Sequence, residues 1–290
     1  MKKIIFAPLL LLSLHAQAGD FCSAVKSQAQ NSSDTKWILQ WQDEFDTSGR
    51  PDPKKWKFEI GGNGWGNRED EFYTDRLENA RVENGKLIIE ARKEEYQNRH
   101  YTSARINSVA KLTFGKIEFR AKMPAGQGTW GAAWLLADKP IYGNGILWPD
   151  NGEIDILESI GHEPNINHMS LHSHNHSFIN STQITTQFLV PNAADEFHDY
   201  ALEWLPESLT LSVDGVVKLT STRGPQDDWQ QWPFDHDMYF IMNLAIGGSW
   251  GKEKGPIDDS IFPVRMEFKY VRVYSPSPVS AGCVAPDPAP

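Results

Sequence analysis

Between Asn151 and Ser159 the chain reads Asn-Gly-Glu-Ile-Asp-Ile-Leu-Glu-Ser, with acids at 153, 155 and 158 and apolar residues between them. On a helix, at about 100° per residue, Glu153, Asp155 and Glu158 scatter and no apolar stripe forms; on a strand, Glu153 and Asp155 share one face while Ile154 and Ile156 share the other. The β-branched isoleucines favour the strand too. A regular strand would present position 157 next, but Leu157 stands there and Glu158 follows. The pattern therefore predicts a one-residue β-bulge that returns Glu158 to the acidic face. Neighbouring carboxyls on that face lie about 6.5 to 7 Å apart at Cα, and such crowding raises at least one pKa. An acid that keeps its proton beside a carboxylate that has lost one is the pair needed to break a glycosidic bond: one protonates the departing oxygen, the other attacks or activates water. The same acids would also suit a solvated edge of an antiparallel sheet. Trp148, with Trp130 and Trp134 upstream, favours the chemistry, because flat aromatic faces suit the C–H faces of a sugar ring.

Two other patterns compete. His172-Ser173-His174-Asn175-His176, if extended, sets three histidines on one strand face, where zinc or copper could bind. No cysteine is near and no fourth ligand can be picked out, so neither a metal nor a cofactor is expected. Gly247-Gly248-Ser249-Trp250-Gly251 matches a Gly-x-Ser-x-Gly nucleophile elbow in letters, but Lys252-Glu253-Lys254-Gly255-Pro256 follows, where an elbow needs a helix.

The elements that must carry these residues are short strands. Runs of β type cover 37–41, 87–91, 116–122, 132–136, 153–158, 168–172, 198–204, 209–213, 238–244 and 265–274, separated by Gly, Pro, Asn and Asp. Asn84-Gly85 and Asp214-Gly215 are hairpin-turn dipeptides. Residues 193–197 offer one helical turn at most. Many short strands without an internal boundary indicate a single all-β sandwich or barrel over residues 37–275. Trp41, Trp56 and Trp204, in apolar strand patterns, are assigned to the core or its margins.

Met1-Lys2-Lys3, the apolar run Ile4 to Leu14 and Ala16-Gln17-Ala18 read as a secretory signal peptide over residues 1–18, followed by an N-terminal arm over 19–36. No later run approaches a membrane span. The formal charge of −10 falls to −12 once Lys2 and Lys3 leave with the signal, which excludes a nucleic-acid partner and favours a neutral ligand. The only two cysteines, Cys22 and Cys283, stand at opposite ends of the mature chain and are expected to pair in an oxidising compartment, two free thiols being the alternative. Residues 276–290 are a Pro-rich tail. The chain is expected to be a monomer, secreted or periplasmic.

The acidic stretch resembles the Glu-x-Asp-x-x-Glu signature of the family 16 glycoside hydrolases, in particular the laminarinase-like endo-β-1,3-glucanases. The likeness runs from about Trp41 to Tyr274. Trp41-Gln42-Asp43-Glu44-Phe45, Gly61-Gly62-Asn63-Gly64-Trp65-Gly66-Asn67, Tyr101 to Arg105, Gly128-Thr129-Trp130 with Trp134, Phe234-Asp235, Asn243, Gly247 to Trp250 and Tyr270 to Tyr274 carry it in order. The resemblance implies a β-jelly-roll sandwich of the concanavalin A type with a concave substrate cleft and a polysaccharide partner, β-1,3-glucan, with algal galactan or mere glucan recognition as alternatives. It implies Glu153 as nucleophile, Glu158 as acid/base and Asp155 as the partner that tunes Glu153. By the same resemblance Asn63, Trp65, Arg105, Trp130, Trp134, Trp148, His172 and Trp250 contact sugar, Arg105 having a structural alternative. The resemblance also implies a structural calcium ion, held in many members by oxygens near the chain start and an aspartate just before the Tyr-Val-Arg-Val-Tyr run of the last strand, here Tyr270 to Tyr274. Lys269 stands in the aspartate's place, and a lysine offers no ligand oxygen, so that site is expected to be lost.

Overall fold

A computed structural model describes residues 36–145 and 147–277. The signal segment, both cysteines and the tail beyond Ser277 lie outside the described residues. Within them, residues 37–276 form a compact unit, one residue longer than expected because the last strand runs to Pro276.

Two sheets make up the unit. The first runs in the order β12 (Ile184–Leu189), β11 (Ile166–His172), β10 (Glu153–Ile160), β9 (Thr129–Ala137), β16 (Met238–Ile246), β7 (Arg105–Leu112) and β2 (Trp56–Glu59). The second runs β15 (Val216–Thr222), β14 (Ser208–Val213), β13 (His198–Leu205), β8 (Gly115–Lys122), β17 (Val264–Pro276), β5 (Leu87–Tyr96), β6 (Arg99–Ser103) and β3 (Glu71–Tyr73). On its flanks β1 (Trp37–Asp43) pairs with β17 and β4 (Ala80–Val82) with β5. Pairing is antiparallel except between β3 and β6.

Each of the ten β-type runs is a strand. Of the strands that the pattern missed, β2, β3 and β4 are three or four residues long, β6, β12 and β15 are rich in polar residues, and β7 follows Ile106 with the polar Asn107 and Ser108, both buried. Asn84 and Gly85 (φ 55° and 67°) join β4 to β5, and Asp214 and Gly215 (φ 48° and 75°) join β14 to β15. Both pairs take the left-handed conformation that a two-residue hairpin turn demands. Residues 193–197 lie in hydrogen-bonded turns and form no helix.

The core is the space between the sheets. From the first sheet Ile106, Leu135, Ile154, Leu157, Met169, Leu171, Met242 and Leu244 are fully buried. Phe119 of β8 answers them from the second, its ring stacked on Tyr200 (5.5 Å, 16°) and meeting Phe240 at 5.4 Å and Phe268 at 5.9 Å. Trp56 and Trp204 are buried and their indole N–H groups are satisfied, by Asp43 Oδ2 at 2.7 Å and Phe234 O at 2.9 Å. Trp41 packs half-buried at the margin. Because side chains alternate along a strand, filling the core with the even positions of β10 turns Glu153 and Asp155 to the sheet's other face.

Candidate active site

The bulge in β10 falls where the acid spacing requires it. Register shifts between Asp155 and Glu158 against β11, and between Asp155 and Leu157 against β9. Ile156 and Leu157 are consecutive and both buried, and the extra residue returns Glu158 to the face of Glu153 and Asp155. Cross-strand partners then name the whole surface. On β11, His172, Ser170 and His168 stand opposite Glu153, Asp155 and Glu158. On β9, Leu136, Trp134 and Ala132 oppose the same three acids, and Trp130 lies opposite Ile160. Asn243 of β16 sits beside Ala132 and Arg105, and Arg105 beside Glu59 of β2.

His172 Nε2 lies 3.2 Å from Asp155 Oδ2 and 3.8 Å from Glu153 Oε1. Trp130 Nε1 donates to Glu158 Oε1 at 3.0 Å. Burial raises all three acids. Glu153 stands well above the usual carboxylate range through burial and then the charge of Asp155, opposed by His172 and Arg105. Asp155 is pushed up to about 8 by burial, its hydrogen bond with Glu153 opposing the rise. Glu158 is pushed up to about 8 by burial and the Asp155 charge, with His172 and the Trp130 N–H pulling the other way. Two buried carboxyls in contact cannot both ionise, so Glu153 and Asp155 hold one proton in common. Glu158 keeps its own at neutral pH.

Aromatic rings flank both ends of the acid row. Trp250 meets Trp130 edge-on at 5.4 Å and His168 at 4.8 Å beside Glu158. At the other end Trp148 lies 6.1 Å from His172 and 5.2 Å from Phe178. The Arg105 guanidinium is sandwiched between Trp134 (4.8 Å) and Trp65 (5.0 Å), and its Nε is paired with Glu59. Asn63 is exposed, and its side-chain oxygen accepts from the Trp65 backbone N–H at 3.0 Å. The residues singled out for sugar contact thus form one connected surface, with Asn63 at its rim.

The histidine cluster does not form a face. β11 ends at His172, and Ser173 and His176 close a tight turn through reciprocal backbone hydrogen bonds, so the extended alternation fails. His174 turns to Asp150 at 2.7 Å and His176 to the Thr182 carbonyl at 3.3 Å. A different group, Glu153, Asp155 and His172, brings its donor atoms within 4.8 Å of one another, a spacing that a cation could bridge. The Gly-x-Ser-x-Gly letters make a single helical turn, Gly248–Gly251, that presents Trp250. Gly247 precedes it at φ 73°, and a Cβ there would land on the Asp70 carboxylate.

Sequence reading missed Phe178, which is 54% exposed yet packs on Trp148 and edge-on against His172. No period marks it, because it sits in a 3₁₀ turn after the histidine turn. His168 was legible in principle, standing two strand repeats from His172.

Residues 67–271 match the family described as glycosyl hydrolases family 16. The chain belongs to that family. A beta-glucanase of Rhodothermus marinus is 45% identical over 284 residues, covering 94% of this chain and 96% of the relative. The X-ray structure of the laminarinase from the same organism superposes with a TM-score of 0.82, covering 84% of this chain and 99% of that one, at 45% identity. A non-specific endo-beta-1,3(4)-glucanase of family 16, co-crystallised as a mutant with a glucan oligosaccharide, matches at 36% identity and a TM-score of 0.78 over 83% of this chain and 95% of its own. The fold of this family 16 hydrolase is accordingly the β-jelly roll. Lys269, at the expected calcium position, lays its ammonium 4.7 Å from the Phe197 ring, and Glu44 is held by both arms of Arg272 at 2.7 and 2.9 Å.

Proposed function

We propose that the protein is a secreted endo-glucanase that hydrolyses laminarin-like β-1,3-glucan with retention of configuration and tolerates mixed β-1,3-1,4 linkages. The observation that carries this reading is the bulged strand: two glutamates on one face, one given a Trp130 N–H and the other a His172–Asp155 pair, in a sheet surface lined with tryptophans. The beta-glucanase of Rhodothermus marinus and the non-specific endo-beta-1,3(4)-glucanase are named for beta-glucan, which supports the substrate class.

In the first step Glu158 gives its proton to the glycosidic oxygen as the Glu153 carboxylate attacks the anomeric carbon; the C–O bond to the leaving sugar breaks and a glycosyl ester forms. For Glu153 to attack, the proton that the pair shares must lie on Asp155, whose O–H then donates to Glu153 and orients the nucleophile. Ester formation removes the negative charge of Glu153, so Glu158 now ionises easily. In the second step Glu158 takes a proton from water, the hydroxide oxygen attacks the same carbon, and Glu153 leaves as carboxylate. Two inversions give retention. Trp148 and Phe178 on one side, and Trp130 and Trp250 on the other, offer ring faces to the sugars that flank the cleaved bond. Secretion follows from the leader, and a Cys22–Cys283 disulfide suits the compartment it implies.

A product profile on laminarin, lichenan and agarose tests the reading. Oligosaccharide release from laminarin is expected. Binding without reducing-sugar release would make the protein a recognition module, and release from agarose alone would make it a galactanase.

A further inference from the structure

Beneath the groove lies a second pair of acids that the reaction does not use. Glu69 and Glu71 are 3% and 0% exposed, and their carboxyls lie near enough for each to influence the other's proton. Glu71 Oε2 accepts from the Ile246 N–H at 2.7 Å, while Glu71 Oε1 is buried and no protein donor is directed at it. Two carboxylates cannot hydrogen-bond without a proton, and an oxygen that lacks a donor is where an O–H fits.

The partners of Glu69 show which way the proton must lie. Trp134 Nε1 donates to Asn243 Oδ1 (2.8 Å), Asn243 Nδ2 donates to the Tyr73 hydroxyl (3.2 Å), and Tyr73 donates to Glu69 Oε2 (3.0 Å). Asn67 Nδ2 donates to Glu69 Oε1 at 3.2 Å. Every donor points toward Glu69, so Glu69 is the carboxylate and Glu71 the acid. The far end of this chain is Trp134, cross-strand partner of Asp155 and one of the two rings that sandwich Arg105.

We propose that Glu69 and Glu71 hold a single proton, carried on Glu71 Oε1, and that it keeps Glu69 as the terminus of a one-way donor relay that positions Trp134 and Arg105 under the substrate. Glu69 and Glu71 are positioning residues. The charged and titratable groups packed around them are Tyr73 of β3, Arg105 of β7 with its partner Glu59, and the Asp70–Lys252 pair, Asp70 standing between the two glutamates in sequence. On β6, Tyr101 turns its hydroxyl to Asp259. Arg105 attracts the charge on Glu69, and none of the others supplies a second positive charge to the pair. Burial raises both acids, Glu71 further because Glu69 is charged.

Urea unfolding of the wild type and E71Q between pH 5 and 8.5 tests the held proton without substrate, so it is independent of the proposed function. Glutamine gives Glu69 a permanent N–H. Above the ordinary glutamate range, unfolded wild type releases a proton that the folded protein retains. Its unfolding constant relative to E71Q should therefore climb about tenfold per pH unit and then level off once Glu71 ionises in the fold. A ratio that is flat with pH overturns the proposal. If E71Q does not fold, carbon-13 glutamate labelling of the E153Q/E158Q protein reads the proton directly: a glutamate carboxyl still protonated at pH 7 is expected, and its absence overturns the proposal. The kinetic arm rests on laminarin being a substrate: KM of the wild type should rise against that of E71Q at alkaline pH while the kcat values keep pace. Equal KM profiles overturn the positioning half. No turnover by either protein would count against the function and leave the unfolding result standing.

Discussion

Glu153 and Glu158 share a strand and a face but not an environment, and the roles proposed for them can be tested separately. Glu153 meets a second acid and a histidine; Glu158 meets an indole N–H. Glu153→Gln should abolish turnover because the nucleophile is gone, whereas Glu158→Ala should lose about 10²- to 10⁴-fold on laminarin yet retain more activity on an aryl glucoside whose leaving group needs no proton. Azide should rescue Glu158→Ala as a β-glycosyl azide. Nuclear magnetic resonance of the first-formed wild-type product should show the β-anomer, and an α-anomer would remove Glu153 from the nucleophile's role. Protonation of Glu158 also sets the alkaline limb. With its carboxyl at about 8, kcat/KM should fall as pH rises through that value, since the acid is then lost. Trp130→Phe deletes a hydrogen bond that favours the charged form of Glu158, so the limb should move to higher pH. A limb that stays put or moves down would mean the indole does not tune this acid. The acid row was legible in the sequence because charge and apolarity alternate there. Phe178 was not, because an irregular turn has no period, and Glu59 was not, because its meaning depends on Arg105 lying across a strand boundary.

At the scale of the element, the bulge decides everything downstream of Asp155. Without it Glu158 would point into the core and Leu157 into the groove, since one residue of slip exchanges the faces of a strand. The break in alternation made the bulge readable; the fate of His172 to His176 was not, because nothing in His-Ser-His-Asn-His tells a strand from a turn until the Ser173–His176 hydrogen bonds form. The short helical turn that carries Trp250 is likewise set by contacts from afar. Asp70 accepts from the Gly248 N–H and pairs with Lys252, and Ser249 N–H donates to Asn67 O. Gly247→Ala would force a left-handed φ on a residue with a Cβ and displace the Asp70 carboxylate, costing about 1 to 2 kcal/mol and moving Trp250 off Trp130. The expected outcome is a melting temperature lower by several degrees and a raised KM with kcat nearly kept. A large loss of kcat at unchanged KM would show that this turn acts on the chemistry and not on binding.

At the scale of the whole molecule, the expected loss of the calcium site can be tested: Arg272 supplies Glu44 with positive charge from within the chain, and Lys269 is turned to Phe197. Treatment with a chelator should leave both the melting temperature and laminarin hydrolysis unchanged, and a loss of several degrees on chelation, restored by calcium, would contradict this. The two ends of the fold raise a second question at this scale. β1 and β17 pair antiparallel with Trp37 opposite Pro276, so the sandwich brings its first and last strands side by side. From there about fifteen residues lead back to Cys22 and about seven lead on to Cys283, and either stretch, extended at about 3.3 Å per residue, spans far more than the gap between paired strands. Reach therefore does not oppose the bond, and an oxidising compartment favours it. Closing a loop of about 260 residues lowers the entropy of the unfolded chain by an amount worth about 4 to 5 kcal/mol in the loop-closure account, less whatever freedom the two arms lose in the folded state. The mature protein, unfolded without reductant, should show no free thiol on quantitative labelling, and reduction should lower its urea midpoint while leaving the rate on laminarin at low temperature intact, because both cysteines lie outside the groove-forming strands. Labelling of both cysteines before reduction would rule out the pairing.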